Sequence, residues 1–296
     1  MKKINAVTAA FLAVSLALLT GCGAVGNVET NDEESFVEFN VDNASQQSEV
    51  SSMTVSLAPP VDTDRRLSET DTENGTDEEE SSKPFVKRTI EGEPIDLAWF
   101  DDCVFMGDSV TNGLGLYNDY TGCFGNAQFV CGASLGWVNS QWNLFDENEV
   151  HPMYNGQKVL LEDAVMLTGA NKAIIGMGMN DLGTYGIDAT FEAEEEFLNK
   201  LREKSPGVEI YLMTVTPMIA SKEYDRLNNP LIVEYDTRLE SFASEHDCIF
   251  LNTWAAVVND DGKLPDEICE DPTALGIHLN NEGCEMVKDY ILRNVG

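Results

Sequence analysis

A serine that directly follows a short apolar stretch is the first candidate for chemistry. The segment from Phe105 to Ser109 reads FMGDS, which predicts a strand that turns at Gly107 and a helix that begins at or near Ser109. Unpaired N–H groups at a helix N-terminus favour negative charge, so they would stabilise an attacking serine oxygen and the oxyanion that it creates. The alternative is structural, because serine is also a common helix N-cap.

An asparagine after the third apolar stretch is the second candidate. The segment from Gly176 to Asp181 reads GMGMND. Asn180 at this strand end could donate its side-chain N–H to a developing oxyanion, and one such donor stabilises a transition state by about 3 kcal/mol. A dinucleotide-binding loop is excluded, because Asp181 occupies the third glycine position and that fingerprint belongs in the first βα unit. Alternatively, Asn180 and Asp181 only form a tight turn.

The chain has three histidines, which narrows the choice of a general base. His151 precedes Pro152 in a predicted loop and His246 ends a polar helix, so we expect both at the surface. His278 follows the last predicted strand and precedes the last helix. It should therefore lie at the same end of the sheet as Ser109.

The elements that must position these residues alternate between short apolar and longer amphipathic segments. Five strands each followed by a helix indicate an α/β fold with a parallel sheet covered on both faces, whose ligand site forms at the carboxyl ends of the strands. The predicted strands are Cys103–Met106, Gln128–Cys131, Ala173–Gly178, Glu209–Val215 and Cys248–Leu251, and the clearest helices are Asp188–Lys204, Pro230–His246 and Glu282–Val295.

The first residues have the pattern of a bacterial secretion signal. Two lysines precede an apolar stretch from Ile4 to Leu19, which ends in the sequence LTGC at Cys22. This ending resembles a lipobox, which implies a signal peptide over residues 1–21 and lipid attachment to Cys22. We therefore expect a lipoprotein anchored to the outer face of the cell membrane rather than spanning it. The alternative is an ordinary secretory signal with an incidental cysteine.

Residues 22–94 form a predicted acidic tether. This segment is rich in Asp, Glu, Ser, Thr and Asn and has too little apolar surface to fold, so the folded domain is predicted over residues 95–296. The net charge of −34 disfavours nucleic acid as a partner, because phosphate would be repelled.

Six cysteines lie in the predicted domain, without a C-x-x-C pair or a histidine at metal-ligand spacing. Cys103, Cys131 and Cys248 lie in apolar strands, where we expect buried free thiols. Cys269 and Cys284 could form a disulfide around His278.

Four short blocks, in order, resemble the SGNH (GDSL-type) hydrolase family over about residues 100–296. Gly107–Ser109 is similar to its nucleophile block and Gly132–Gly136 to its glycine block. Gly178–Asp181 is similar to its Gly-x-Asn-Asp block, and Ile277–Leu279 to its histidine block. The resemblance implies a three-layer flavodoxin-like fold with a five-stranded parallel sheet.

The resemblance also implies roles for individual residues. Ser109 would be the nucleophile and His278 the general base, with no metal or cofactor. The Asn180 amide and the N–H groups of Ser109 and Gly136 would hold the oxyanion, with Gly132 as the weaker choice in place of Gly136.

The sequence departs from the family at the residue that orients the histidine. The family has an aspartate three residues before its histidine, whereas this chain has Leu275. Losing that carboxylate from a serine triad costs about 10⁴ in rate. We predict that Asp271 replaces it, with Glu270 as a lesser candidate. A backbone carbonyl could instead orient His278 in a Ser-His dyad.

The substrate follows from the expected location. A tethered monomer outside the membrane would meet glycans, so we expect it to remove small acyl groups such as acetyl from carbohydrate. A lipase or lysophospholipase and an O-acyltransferase are alternative enzymes. A catalytically inactive glycan-binding module is an alternative of another class, in which tryptophans would stack on sugars, although we expect most of them to pack in the core. These tryptophans are Trp99, Trp137, Trp142 and Trp254.

Overall fold

The computed structural model describes residues 92–145 and 150–295. The predicted signal peptide, Cys22 and nearly all of the predicted tether lie outside the described residues, so they stay predictions. Within the described residues, no helix is both long enough and apolar enough to cross a membrane.

Five parallel strands form the central sheet, and their positions agree closely with the sequence prediction. They are β1 (Cys103–Gly107), β2 (Gln128–Cys131), β5 (Lys172–Gly176), β6 (Glu209–Met213) and β7 (Ile249–Leu251). A short antiparallel hairpin that was not predicted comprises β3 (Met153–Tyr154) and β4 (Gln157–Lys158).

Seven α-helices lie among the described residues. They are α1 (Ser109–Thr121), α2 (Ala164–Thr168), α3 (Met179–Tyr185), α4 (Ile187–Lys204), α5 (Asn229–Glu245), α6 (Trp254–Val257) and α7 (Asn281–Asn294). The three helices that periodicity predicted most clearly correspond to α4, α5 and α7. The α4 helix ends at Lys204 as predicted, and every other boundary of the three differs by one residue.

The strand order is β2-β1-β5-β6-β7, which is the flavodoxin-like order. The order reverses between β1 and β5, whose last residues, Gly107 and Gly176, are paired. Loops that follow these two strands diverge to opposite sides, and ligands bind at such a crevice. Ser109 and Asn180 follow these two strands, so the topology places both at this crevice.

Two apolar clusters make the fold three-layered. Because side chains alternate across a strand, Val104 and Met106 of β1 face one cluster, while Cys103 and Phe105 face the other. The first cluster includes buried residues of α4 and α5, and the second includes buried residues of α1 and α7. The predicted α/β fold is therefore confirmed.

Candidate active site

Ser109 is the first residue of α1, and the residue before it caps the helix. The Asp108 carboxylate accepts hydrogen bonds from the N–H groups of Val110 (2.9 Å) and Thr111 (3.4 Å), while the Asp108 carbonyl accepts one from Asn112 (2.8 Å). Ser109 is therefore not the N-cap, and its hydroxyl is released from that structural role. Of the first four N–H groups of α1, only that of Ser109 lacks an acceptor among the described residues.

Ser109, His278 and Asp271 form one hydrogen-bonded chain. The Ser109 Oγ lies 2.9 Å from His278 Nε2, and His278 Nδ1 lies 2.8 Å from Asp271 Oδ2. In this arrangement the imidazole can take the serine proton while the carboxylate fixes its tautomer and orientation. The geometry is therefore that of an activated serine nucleophile.

The loop from Asp271 to His278 closes around the carboxylate. Asp271 Oδ1 accepts hydrogen bonds from the N–H groups of Ile277 and His278, each 3.1 Å long, and Oδ2 accepts one of 3.2 Å from Leu275 N–H. The Leu275 side chain points outward and is 60% exposed. Leu275 thus contributes a backbone donor to the Asp271 carboxylate. Glu270 is exposed and contacts His278 only through the backbone, so its carboxylate is not the partner of the imidazole.

Asp271 is held as a carboxylate by these contacts. Burial would raise its pKa, but the hydrogen bonds from the imidazole and backbone of His278 outweigh burial and lower the pKa to about 2. The carboxylate therefore stays charged throughout the pH range in which the protein would act.

Asn180 lies in the first turn of α3, after the Gly178 cap, whose φ of 126° is one that other residues rarely adopt. Its Nδ2 donates one hydrogen bond of 2.8 Å to the Leu135 carbonyl. A side-chain amide carries two N–H donors, and the second has no acceptor among the described residues. This donor is available for an oxyanion.

The prediction that Gly136 supplies a backbone donor is not supported by its contacts. Its N–H donates to Asn139 Oδ1 at 2.8 Å, while Ser140 N–H donates to the Gly136 carbonyl. The N–H and the carbonyl of Gly136 are therefore both occupied by contacts inside the loop. The weaker choice, Gly132, donates its N–H to the Gly107 carbonyl at 2.9 Å. In this structure, the donors left for an oxyanion are the Ser109 N–H and the Asn180 amide.

Sequence reasoning missed two buried acids beside the site. Asp108 is 4% exposed and Asp181 is 1% exposed, and burial raises the pKa of each to about 6. Asp108 caps the helix that Ser109 begins, whereas Asp181 binds the backbone of Trp137 and Val138, directly after the glycine block. Each acid is the sequence neighbour of a candidate site residue, Asp108 of Ser109 and Asp181 of Asn180, and this adjacency could have identified both from the sequence.

Three further expectations are corrected by the structure. His151 is buried at 7% exposure, because its Nε2 contacts the Trp142 carbonyl inside the loop. The Cys269 and Cys284 thiols are free, so no disulfide joins them. Cys131 and Cys248 have free thiols as predicted, although each residue is only partly buried.

The tryptophans divide between the core and the surface. Trp137 and Trp254 are buried at 1% and 5% exposure, as expected for core residues. Trp142 is 37% exposed, and Trp99 is half-buried with the Lys172 ammonium over its ring.

A small cavity lies at the ends of the central strands, and Ser109, His278 and Asp271 do not line it themselves. Its volume is about 30 Å³, and its lining includes Asp108 and Leu279, which are the sequence neighbours of Ser109 and His278. Most of the wall is apolar and comes from strand ends, including Met177, Met213 and Val215.

Within the described residues, no group of His, Cys, Asp or Glu side chains is arranged to hold a metal ion.

Comparisons with known proteins agree with this architecture. The family model of the GDSL-like lipase/acylhydrolase family matches residues 105–286, which is more than half of the chain. A search of curated proteins found no match.

Similar solved structures include a GDSL-like lipase from Bacteroides thetaiotaomicron, with 17% identity and a TM-score of 0.48, covering 64% of this chain and 86% of that one. An acetyl xylan esterase has 16% identity and a TM-score of 0.45, covering 64% and 96%. A member of the lipolytic G-D-S-L family from Veillonella parvula has 12% identity and a TM-score of 0.44, covering 64% and 95%.

Proposed function

Because the chain belongs to the GDSL-like lipase/acylhydrolase family, we propose that it is a serine ester hydrolase that removes small acyl groups, such as acetyl, from carbohydrate. Ser109 is the nucleophile, His278 the general base and Asp271 the acid that orients the base. The observation that carries this proposal is the continuous chain of hydrogen bonds from Ser109 Oγ through the imidazole to the Asp271 carboxylate.

The proposed reaction is acyl transfer to the serine and then to water. His278 Nε2 takes the Ser109 proton as Oγ attacks the ester carbonyl, and the oxyanion is held by the Ser109 N–H and the Asn180 amide. The protonated imidazole then gives its proton to the leaving alcohol. Water, deprotonated by His278, attacks the acyl-enzyme and releases the carboxylic acid and free Ser109.

The size of the cavity beside the site favours a small acyl group. Its volume of about 30 Å³ is far below the roughly 150 Å³ of an engineered apolar cavity that holds benzene. We assign this cavity to the acyl group of the ester. Its volume leaves no room for a fatty acyl chain.

The surface around the site favours a neutral alcohol over a lipid. In the loop from Pro217 to Pro230, Met218 and Ile219 are buried, so these two apolar side chains do not face a lipid surface. Tyr224 of the same loop is 55% exposed and can stack on a sugar ring. The net charge of −34 repels anionic headgroups.

The proposed location is the outer face of the cell membrane, where lipid on Cys22 anchors a monomeric domain through the acidic tether. This part of the proposal rests on the sequence of residues 1–94. Globomycin, which blocks lipoprotein signal cleavage, together with mass spectrometry of the mature N-terminus, tests it. A mature chain that starts at a residue other than lipidated Cys22 contradicts it.

A fluorophosphonate probe tests the nucleophile. The wild type should be labelled and Ser109→Ala should not, while Ser241→Ala, on the exposed surface of α5, should react like the wild type. An unlabelled wild type would favour the glycan-binding module. Labelling of Ser109→Ala would reject Ser109 as the nucleophile.

An ester series tests the substrate class. Acetylated xylan and acetyl esters should be hydrolysed faster than long-chain nitrophenyl esters. A preference for long chains would favour the lipase, and acyl products on added alcohols in place of free acid would favour the acyltransferase. Either result would overturn the carbohydrate deacylase.

A further inference from the structure

We propose that Asp181 is a positioning residue that clamps the glycine loop, defined as residues 132–139, so that this loop orients the Asn180 amide. The proposal rests on the proposed function, because it concerns the oxyanion donor of that reaction. Asp181 follows Asn180 directly in α3. Two adjacent side chains of one helix therefore hold the same loop.

The clamp consists of two backbone hydrogen bonds to a buried carboxylate. Asp181 Oδ2 accepts a hydrogen bond of 2.7 Å from Trp137 N–H, and Oδ1 accepts one of 3.2 Å from Val138 N–H. Asp181 is 1% exposed. Charge-assisted hydrogen bonds of this kind are roughly twice as strong as neutral ones.

Burial raises the pKa of Asp181 to about 6, although the Trp137 and Val138 N–H groups oppose the rise. The carboxylate is therefore ionised at neutral pH, where it can accept both bonds.

The clamp requires a residue without a side chain at position 136, and this residue is Gly136. A Cβ added to Gly136 would lie 2.3 Å from Asp181 Oδ2 and 2.6 Å from Oδ1, far inside contact distance. Because Gly136 lacks a positive φ, its backbone conformation does not require glycine. A glycine is required there because the Asp181 carboxylate approaches the backbone so closely. This accounts for a glycine at a position whose N–H is bound to Asn139.

The loop in turn sets the direction of the Asn180 amide. The Leu135 carbonyl accepts from Asn180 Nδ2 at 2.8 Å, one residue before Gly136. This bond fixes one amide N–H, so the other is fixed as well by the planar geometry of the group. A shift of the loop would therefore turn the free donor away from the oxyanion position, even with Asn180 intact.

The loop is also held on its far side. The Trp137 indole donates to the Tyr235 hydroxyl at 3.2 Å, and that hydroxyl donates to Glu194 Oε2 at 2.8 Å. Trp137 is thus bound through its backbone by α3 and through its side chain by α4 and α5. Of the groups that hold the loop, Asp181 contacts it nearest to Asn180. The effect of Asp181 on the Asn180 amide can therefore be tested separately from the hydrogen bonds among Trp137, Tyr235 and Glu194.

Asp181→Asn tests the proposal in the full chain. An asparagine has one acceptor oxygen, and its NH₂ group would oppose the second backbone N–H. We expect kcat for an acetyl ester to fall about 10- to 100-fold with little change in KM, because only a transition-state contact is weakened. Glu162→Gln is the control, since Glu162 is also buried and bonds Lys204 outside the loop. It should keep the wild-type kcat.

Titration of Ser109 with the fluorophosphonate probe separates positioning from folding. Activity is expressed per labelled site, so a merely structural role would lower the number of sites and leave kcat per site unchanged. That result would overturn the proposal. Gly136→Ala provides a second variant in case Asp181→Asn does not fold, and it should lower kcat per site by displacing the carboxylate. Wild-type kcat per site in Gly136→Ala would then reject the clamp.

The reference variants keep the two proposals apart. Hydrolysis that persists in Ser109→Ala would reject the proposed function itself. If Ser109→Ala and Asn180→Ala lose activity while Asp181→Asn keeps the full kcat per site, only the clamp fails.

Discussion

The Asp271 carboxylate and the His278 imidazole are seven residues apart in the chain and 2.8 Å apart in space. A separation of three residues is the family pattern, so this loop reaches the same contact by a longer path. Three backbone N–H groups from Leu275, Ile277 and His278 point at the carboxylate and hold it there. The carboxylate therefore contacts the imidazole although it lies outside the usual position, as its proposed orienting role requires.

Asp271→Asn should lower kcat by about 10⁴, because the amide would favour the wrong tautomer of the imidazole. Since the pKa of Asp271 is about 2, the carboxylate stays charged across the assay range, and the loss should be similar at about pH 6 and about pH 9. Steady-state hydrolysis of an acetyl ester at both pH values measures this. Glu270→Gln is the control and should keep wild-type activity, and equal losses in both variants would reject Asp271 as the orienting acid.

The sheet and its helices were predictable from the sequence, because their apolar periodicity is a local property. The boundaries of β2 and the last residue of α4 agree with the prediction, and the other ends of α4, α5 and α7 differ from it by one residue. Ser109, Asn180 and His278 followed from the same pattern, since the carboxyl ends of parallel strands meet at one edge.

The remaining features depend on loop conformations, which periodicity does not encode. The occupied N–H of Gly136 results from a side-chain bond by Asn139, and the clamp by Asp181 joins residues 44 positions apart. Asp271 lies seven residues before His278, so the prediction that it orients the imidazole depends on a compact loop. The backbone bonds that hold it are visible only in the structure.

Truncation of a cavity wall should change the preference for acyl length. Met213 is 5% exposed and lines the cavity at the end of β6. Met213→Ala should raise kcat/KM for hexanoyl relative to acetyl esters by about 10-fold, because each extra methylene in an apolar pocket is worth about 1–3 kcal/mol. Nitrophenyl esters of increasing chain length measure the ratio.

Met106→Ala is the matched control for the acyl cavity. Met106 is fully buried in β1 on the opposite face of the sheet, so its truncation has a comparable effect on packing. Its acyl preference should match the wild type. An unchanged preference in Met213→Ala would show that the acyl group binds elsewhere.

Tyr224 should contribute to binding of the alcohol part of the substrate. The Tyr224 hydroxyl packs against Gly183 of α3, where an added Cβ would lie 3.1 Å from it. Gly183 is three residues after Asn180, so the two residues are about 4.5 Å apart along the helix axis. Tyr224→Ala should raise KM for acetylated xylo-oligosaccharides about 10-fold and leave ethyl acetate, which has no ring, unaffected. Tyr120→Ala, on α1 with 78% exposure, should affect neither substrate. Equal effects on both substrates would argue against a sugar contact.

Glu194 should make the stability of the domain depend on pH. It is fully buried, one oxygen accepts from the Tyr235 hydroxyl, and the other has no partner among the described residues. Burial raises its pKa to about 8, from 4.5 for an ordinary glutamate. A raised pKa contributes stability that is fully present below about pH 4.5 and is lost as the pH rises toward 8. Each unit of the pKa difference corresponds to about 1.4 kcal/mol.

Glu194→Gln removes this titration while its amide oxygen still accepts from Tyr235. The free energy of unfolding of the variant should therefore match that of the wild type near about pH 4.5 and exceed it by a few kcal/mol near about pH 8. Urea unfolding at both pH values measures the difference, and other titrating groups cancel between the two proteins. Glu192→Gln, exposed on the same helix, should differ from the wild type by less than about 0.5 kcal/mol at either pH. If the difference in the free energy of unfolding between Glu194→Gln and the wild type does not grow with pH, Glu194 is ionised in the folded protein and the prediction is wrong. The described structure argues against ionisation, because Glu194 has no cationic partner there.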